Sequence, residues 1–256
     1  MSNPLLLEVC LESIESAIAA DRGGAQRIEL CADLLEGGTT PSAGTIAATR
    51  ERVNLGINVM IRPRGGDFLY SEAEFASMRH DIQIAKTLGA DGIVLGLLNP
   101  DGTVDVERTR ELVQLARPLP VTFHRAIDVS RDLFRALEDI IIAGCSRVLT
   151  SGGKSSVVDG AETVAKLVQQ AEDRIIVMPG CGIRPNNILD IARKTRASEL
   201  HIALDEPVQS GMQFRKTEIP MGDVEGREFL RFEASERSVR EVVEVLNAVS
   251  AQGSRS

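Results

Sequence analysis

The residues best suited to chemistry in this sequence come in two copies of one pattern, Leu7-Glu8-Val9-Cys10 and Arg27-Ile28-Glu29-Leu30-Cys31. Each sets a carboxylate two residues before a thiol inside an apolar run. Alternate side chains of a strand share a face, so Glu8 points with Cys10 and Glu29 with Cys31. A lone carboxylate in an apolar run costs on the order of several kcal/mol unless it meets a cation or a polar cavity. Two such runs side by side therefore predict a shared polar pocket. Neighbouring strands lie about 4.8 Å apart, so thiols at matching strand ends can meet. Two thiolates form a soft site suited to Cu(I), whereas the two carboxylates suit a hard cation such as Mg2+. The residues alone leave that choice open, and a pair of small buried side chains is a third reading of the cysteines.

Other ionisable groups stand at the ends of similar runs. His124 closes Val121-Thr122-Phe123-His124, and an imidazole with an ordinary pKa of about 6.5 suits a general acid or base as well as a structural hydrogen bond. The catalytic candidates are Glu8, Glu29, Arg62, His124 and His201. Three glycine-bearing turns suggest an anion site: Arg62-Pro63-Arg64-Gly65-Gly66-Asp67, Thr150-Ser151-Gly152-Gly153 and Pro179-Gly180-Cys181-Gly182. Their candidate contacts are Arg62, Arg64, Ser151, Gly152, Gly153, Gly180 and Gly182, guanidiniums and backbone N–H groups being natural anion donors. The bland alternative is a Glu–Arg–His network that only fixes geometry. His80, on a helix beside Arg79 and Asp81, reads as surface, and Cys145 as a buried apolar residue.

The elements that must position these groups alternate regularly. Branched apolar runs predict strands near 5–10, 27–31, 58–63, 92–97, 120–125, 147–151, 174–179 and 199–204. Helical signals lie between them. Ser71 with Glu74 makes a capping box before the stripe Phe75, Met78, Ile82, Ala85, and Asp105 caps a helix running to Ala116. Further stripes are Leu133, Leu137, Ile140, Ile141 and Val158, Ala161, Ala165, Val168, and Pro185 suits a first helical turn. Val239, Val242, Val243 and Leu246, capped by Ser235, form a last helix over 235–250. Eight βα units in about 250 residues predict a (β/α)8 TIM barrel, with functional groups collected where the strands end. No G-x-G-x-x-G follows the first strand, which disfavours a doubly wound sheet. The whole chain, 1–256, reads as one domain. Its irregular segment, 205–231, carries Pro207, Met212, Phe214, Pro220, Met221 and Phe229 and suits a mouth cover or a subunit contact.

The totals narrow the partners. With 256 residues, 43% apolar content and a net charge of −8, the chain supports a large core and offers no basic surface for nucleic acid. Three per cent aromatic residues leave little to stack on bases. No apolar run reaches the roughly 20 residues of a membrane span. The start, Met1-Ser2-Asn3-Pro4, lacks a signal-peptide pattern, and four scattered cysteines form no CxxC pair. A cytoplasmic location with reduced thiols is expected.

The chain resembles the CutC copper-homeostasis family. The matching stretches are Leu7-Glu8-Val9-Cys10, 23–31, Glu36-Gly37-Gly38-Thr39-Thr40-Pro41-Ser42, 60–68, 121–126, 149–153 and Met178-Pro179-Gly180, so residues 5 to about 205 are covered. The resemblance implies a barrel, a cytoplasmic copper-homeostasis role, a homodimer or higher homo-oligomer, and Cu(I) held near Cys10 and Cys31. Cys181 stands where the family usually has a small residue such as glycine, and Ala203 where a serine often follows the strand-8 histidine. Two functions are therefore weighed: a Cu(I)-binding protein, and a barrel enzyme of lyase, isomerase or hydrolase type. The second would act on a small anionic or phosphorylated, sugar-like metabolite, with Arg62 and Arg64 holding the anion and Glu8, Glu29 and His124 moving protons.

Overall fold

Alternation along each strand sorts the side chains into two populations. In the computed structural model, which describes residues 5–219, 222, 224 and 226–253, eight parallel strands form a barrel. They are β1 (Leu6–Leu11), β2 (Arg27–Leu30), β3 (Gly56–Met60), β4 (Gly92–Leu95), β5 (Val121–Phe123), β6 (Arg147–Thr150), β7 (Ile176–Pro179) and β8 (Glu199–Ala203). One parity is aliphatic or aromatic except for Thr150: Leu7, Val9, Ile28, Leu30, Ile57, Val59, Ile93, Leu95, Val121, Phe123, Val148, Leu200 and Ile202 are all essentially inaccessible. These face the surrounding helices and form the main core. Each such side chain contributes roughly 1.5–3 kcal/mol by leaving water. The other parity faces the barrel interior and carries Glu8, Cys10, Arg27, Glu29, Asn58, Met60, Thr122, Arg147, Glu199 and His201. A barrel interior is usually packed with Val, Ile and Leu. This one is ionic.

The strand order is β7-β6-β5-β4-β3-β2-β1-β8, the paired strands being parallel. β7 and β8 meet at a seam without an assigned ladder, where Gly180 packs against His201. The helices are α1 (Ile14–Gly23), α2 (Ala43–Arg50), α3 (Glu72–Thr87), α4 (Val106–Ala116), α5 (Leu133–Ala143), α6 (Val157–Ala171), α7 (Ile188–Thr195) and α8 (Glu236–Gly253). Their ends follow local chemistry. Ser71 and Glu74 make the expected capping box, Asp105 caps α4, and Gly24 and Gly144 end α1 and α5 in the left-handed region.

Three expectations are corrected. The inward stripe of α6 is Val157, Ala161, Val164 and Leu167, and Val158 is half exposed. The helix starts at Val157 after the Ser156 cap, and three of its four inward positions fall one residue before those expected. Pro185 lies in a turn before α7, whose cap position is Asn187. The segment 205–231 is not wholly irregular: β9 (Glu206–Gln209) pairs antiparallel with β10 (Leu230–Glu233). Pro220 and Met221 lie outside the described residues, as do the first four residues.

One close approach fixes the loop above β6. A Cβ on Gly160 of α6 would overlap the carbonyl oxygen of Ser151 and crowd Gly152. We expect Gly160→Ala to cost about 1–3 kcal/mol, despite alanine's better helix propensity, because backbone rather than a side chain must move. Urea unfolding checks this, and an unchanged midpoint would contradict it.

Candidate functional site

The lower interior is an ionic belt. Glu8, fully buried, accepts from Arg27 Nε at 2.5 Å and Asn58 Nδ2 at 2.9 Å, and its Oε1 lies 2.8 Å from His201 Nδ1. Arg27 continues to Glu199 at 2.5 Å, which Arg147 grips through two donors at 2.6 and 3.0 Å. Arg147 also donates to Thr122 Oγ1 at 3.2 Å. Glu8 and Glu199 are met by Arg27, Arg147 and a protonated His201. Burial works to raise the Glu8 pKa, but His201 and Arg27 outweigh it and hold it at about 2. Burial likewise opposes charge on His201, yet Glu29, Cys10 and Glu8 carry it well above the ordinary imidazole value.

Above the belt sits the thiol cluster. The ladder register pairs Cys10 with Glu29, so Cys31 lies two residues further along β2's line, past the ladder. The tilt of the strands still brings them together: Cys10 Sγ, Cys31 Sγ and a Glu29 carboxylate oxygen lie within 4.8 Å of one another. Cys10 Sγ donates to Glu29 Oε2 at 3.2 Å and Cys31 Sγ at 3.6 Å, and His201 Nε2 is 3.8 Å from the same oxygen. Glu29 Oε1 is buried without a partner. Burial pushes the Glu29 pKa up. The neighbouring Cys31 thiol, burial and Glu29 all raise Cys10. Cys10 acts to lower Cys31, but burial and Glu29 prevail and push it up to about 11. Met60 and Val94 pack with the two thiols in a small apolar cluster separate from the main core.

A cavity of about 240 Å3 opens beside this cluster, lined by Cys10, Glu29, Met60, Arg62, His124 and His201, with Phe68 and Arg125 nearby. Most of the expected catalytic set is thus brought together. Glu8 is the exception, lying a layer below and committed to Arg27 and His201. The expected anion contacts are mostly elsewhere. Asp128 fills the turn after β6: its carboxylate accepts from Thr150 Oγ1 at 2.5 Å, from the Ser151 N–H at 2.9 Å, from Ser151 Oγ at 2.9 Å and from the Gly153 N–H at 3.0 Å. Ser151 and Gly153 therefore serve an internal anion, and the Gly152 N–H donates to Thr150 Oγ1 at 2.9 Å, which corrects the expectation of an external one. Gly182 is closely overlain by Ser156, and Gly180 leaves room for Leu149 and His201. Arg64 turns away, bonded to Glu74 at 2.6 Å and Asp67 at 2.9 Å and lying over Tyr70.

Arg27, Asn58, Met60, Arg147 and Glu199 join the inward-facing set beyond the residues expected from the sequence. Their signal was present as period two: Arg27-x-Glu29-x-Cys31, Asn58-x-Met60-x-Arg62 and Glu199-x-His201 each extend one inward row downward. All four cysteines are free, and Cys145 is buried, its pKa pushed up to about 12 by burial. No helix among the described residues is long and apolar enough to cross a membrane.

Fold and interior together define a (β/α)8 barrel with a thiol–carboxylate–imidazole cluster over an ionic belt. The barrel of N-(5'-phosphoribosyl)anthranilate isomerase from Pyrococcus furiosus superposes with a TM-score of 0.59 at 11% identity, covering 95% of this chain and 99% of that one, a likeness of fold alone. The chain belongs to the CutC family, which matches residues 5–205. It is 50% identical over 242 residues to a CutC family protein of Chromobacterium violaceum, covering 94% of this chain and 98% of the relative. It is 49% identical over 221 residues to the copper homeostasis protein cutC homolog of Homo sapiens, covering 86% and 81%. A solved structure bearing the CutC name, from Streptococcus agalactiae, superposes with a TM-score of 0.73 at 33% identity over 77% of this chain and 97% of that one.

Proposed function

We propose that this chain is a cytosolic copper-handling protein that takes Cu(I) as cargo between Cys10 and Cys31. One observation carries the reading: two buried sulfurs and a carboxylate oxygen lie within 4.8 Å of one another. Metal–sulfur bonds of about 2.3 Å span a sulfur pair up to about 4.6 Å apart, close to the 4.8 Å within which these atoms lie, which supports a bridging ion. The donor chemistry is soft, and Met60 beside the thiols adds a thioether and an apolar wall, which favours Cu(I) over Mg2+. Glu29 lies within reach of both thiol protons. The relatives named for copper homeostasis support the same reading.

The test is Cu(I) titration of the reduced protein against a competing chelator. The Cys10→Ser, Cys31→Ser double substitution is expected to weaken binding at least about tenfold, more than 1.4 kcal/mol. Equal affinity in both proteins would end the copper reading. The homodimer or higher oligomer that the family resemblance implies belongs to the same reading, and sedimentation of the native chain checks it.

A further inference from the structure

Arg62 is a buried guanidinium with no acidic partner among the described residues. Its Nη1 donates to the carbonyls of Glu36 at 2.6 Å and Gly38 at 2.9 Å, and its Nη2 to that of Gly66 at 2.9 Å. Its Nε is buried without an acceptor. A cation held this way keeps its positive charge uncompensated, because three carbonyl dipoles satisfy donors without supplying a counter-ion. Across the same cavity His124 Nδ1 accepts from the Ala126 N–H at 3.2 Å, which fixes the proton on Nε2. That Nε2 is also buried and unpartnered. The two groups share one support. The Arg62 guanidinium lies 5.1 Å from the Phe68 ring centroid and the His124 ring 4.9 Å from it. Burial, with Arg62 nearby, pushes the His124 pKa down to about 3, so it acts as a neutral donor.

Glu29 lines the same cavity. Glu29 Oε1, 2% exposed at the residue level, has no hydrogen-bond partner. Two unmatched donors and one unmatched carboxyl oxygen around one cavity are more than Cu(I) between two sulfurs would use. We propose that this cavity is a binding site for a small hydroxycarboxylate, its carboxylate held by Arg62 Nε–H and His124 Nε2–H and its hydroxyl directed to Glu29 Oε1.

Charge and room select this class. Arg125, the other guanidinium on the cavity, is already paired with Asp128 at 2.8 Å. His201 is matched by Glu8 and Glu29, so among the described residues Arg62 is the one cation on the cavity without a bonded acid, and the Glu36 carboxylate on the same lining disfavours a dianion such as phosphate over a monoanionic group. The backbone nest that would cradle phosphate is filled by Asp128. At about 240 Å3 the cavity is smaller than the roughly 300–1,000 Å3 of sites for drug-sized ligands and suits an acid of a few carbons.

The site does not depend on copper, so its test uses metal-free, reduced full-length protein. Isothermal titration and histidine-selective 15N NMR would be run with L-lactate, D-glycerate and L-malate, with propionate and inorganic phosphate as comparisons. At least one hydroxy acid is expected to bind at about 1 mM or tighter and to move the His124 ring-nitrogen signals. Propionate and phosphate should bind at least about tenfold more weakly. His124→Phe should weaken the hydroxy acid at least about tenfold, whereas Arg64→Gln, outside the cavity, should not. The wild-type NMR shifts and the His124→Phe comparison together decide the matter. No binding by any of the three acids, equal binding of phosphate, or unchanged binding in His124→Phe would overturn the proposal.

Discussion

Glu199→Leu is expected to destabilise the barrel by about 3–5 kcal/mol, the range for stranding one member of a buried ion pair. Glu199 is the sole carboxylate on Arg147 among the described residues, held by two donors at 2.6 and 3.0 Å. Arg27 shares it but keeps Glu8 at 2.5 Å. Burial acts to raise the Glu199 pKa, and the hydrogen bonds from Arg147 and Arg27 outweigh it and hold the carboxyl ionised. After the substitution Arg147 retains one neutral partner, Thr122. Its charge is then buried without compensation. Removing that charge too, in Arg147→Met with Glu199→Leu, should recover a large part of the loss, because well-packed apolar pairs often replace buried ion pairs at little cost. A double-mutant cycle by urea unfolding measures the coupling. Simple additivity of the two substitutions would show that the belt is not a linked charge system.

The fold was legible because two periodicities never conflict. Outward strand residues such as Leu7, Val9, Ile57 and Val59 are uniformly apolar, and helix caps such as Ser71 and Asp105 mark where each crossover begins. The site was legible only in part. Glu29, Cys10, Arg62, His124 and His201 were found because each is a polar residue at the end of an apolar run, and all five line one cavity. Arg27, Arg147 and Glu199 are hidden from a sequence reading because each stands at a strand's first residue, where a charge normally faces solvent. Here they point inward because the interior already holds Glu8, and opposite charges make its burial tolerable.

The glycine turns show a different limit. Thr150-Ser151-Gly152-Gly153 does form an anion-binding loop, but local sequence cannot say which anion fills it. Asp128 comes from the turn after β5, and only the packing of that turn against β6 brings its carboxylate to the Ser151 and Gly153 N–H groups. Arg62 and Arg64 diverge for a similar reason. Two residues apart, they could share a strand face, but the chain leaves the strand after Met60, and Asp67 and Glu74 on the following loop and helix capture Arg64. That capture leaves Arg62, and not Arg64, at the cavity.

The same cavity predicts how stability depends on acidity. His124 in the folded chain has its pKa pushed down to about 3, chiefly by burial and then by Arg62. In the unfolded chain it titrates near the ordinary value of about 6.5. Between those values the unfolded state binds a proton that the folded state refuses. The contribution of His124 to stability is therefore complete above about pH 6.5 and is lost as pH falls toward 3. At about pH 4.5 the loss relative to neutral pH should be about 2–3 kcal/mol, two pKa intervals at about 1.4 kcal/mol each. His124→Phe removes the titrating group while keeping an aromatic ring against Phe68. It leaves the Ala126 N–H without its acceptor, a cost that does not vary with pH. Glu8, held at about 2, adds its own loss below about pH 4.5 in both proteins, so it cancels in the comparison. Urea unfolding of both at about pH 7 and about pH 4.5 should show the variant's disadvantage shrinking by about 2–3 kcal/mol in acid. An identical pH slope in the two proteins would mean that His124 takes a proton inside the fold, and the neutral donor assigned to Nε2 would be lost with it.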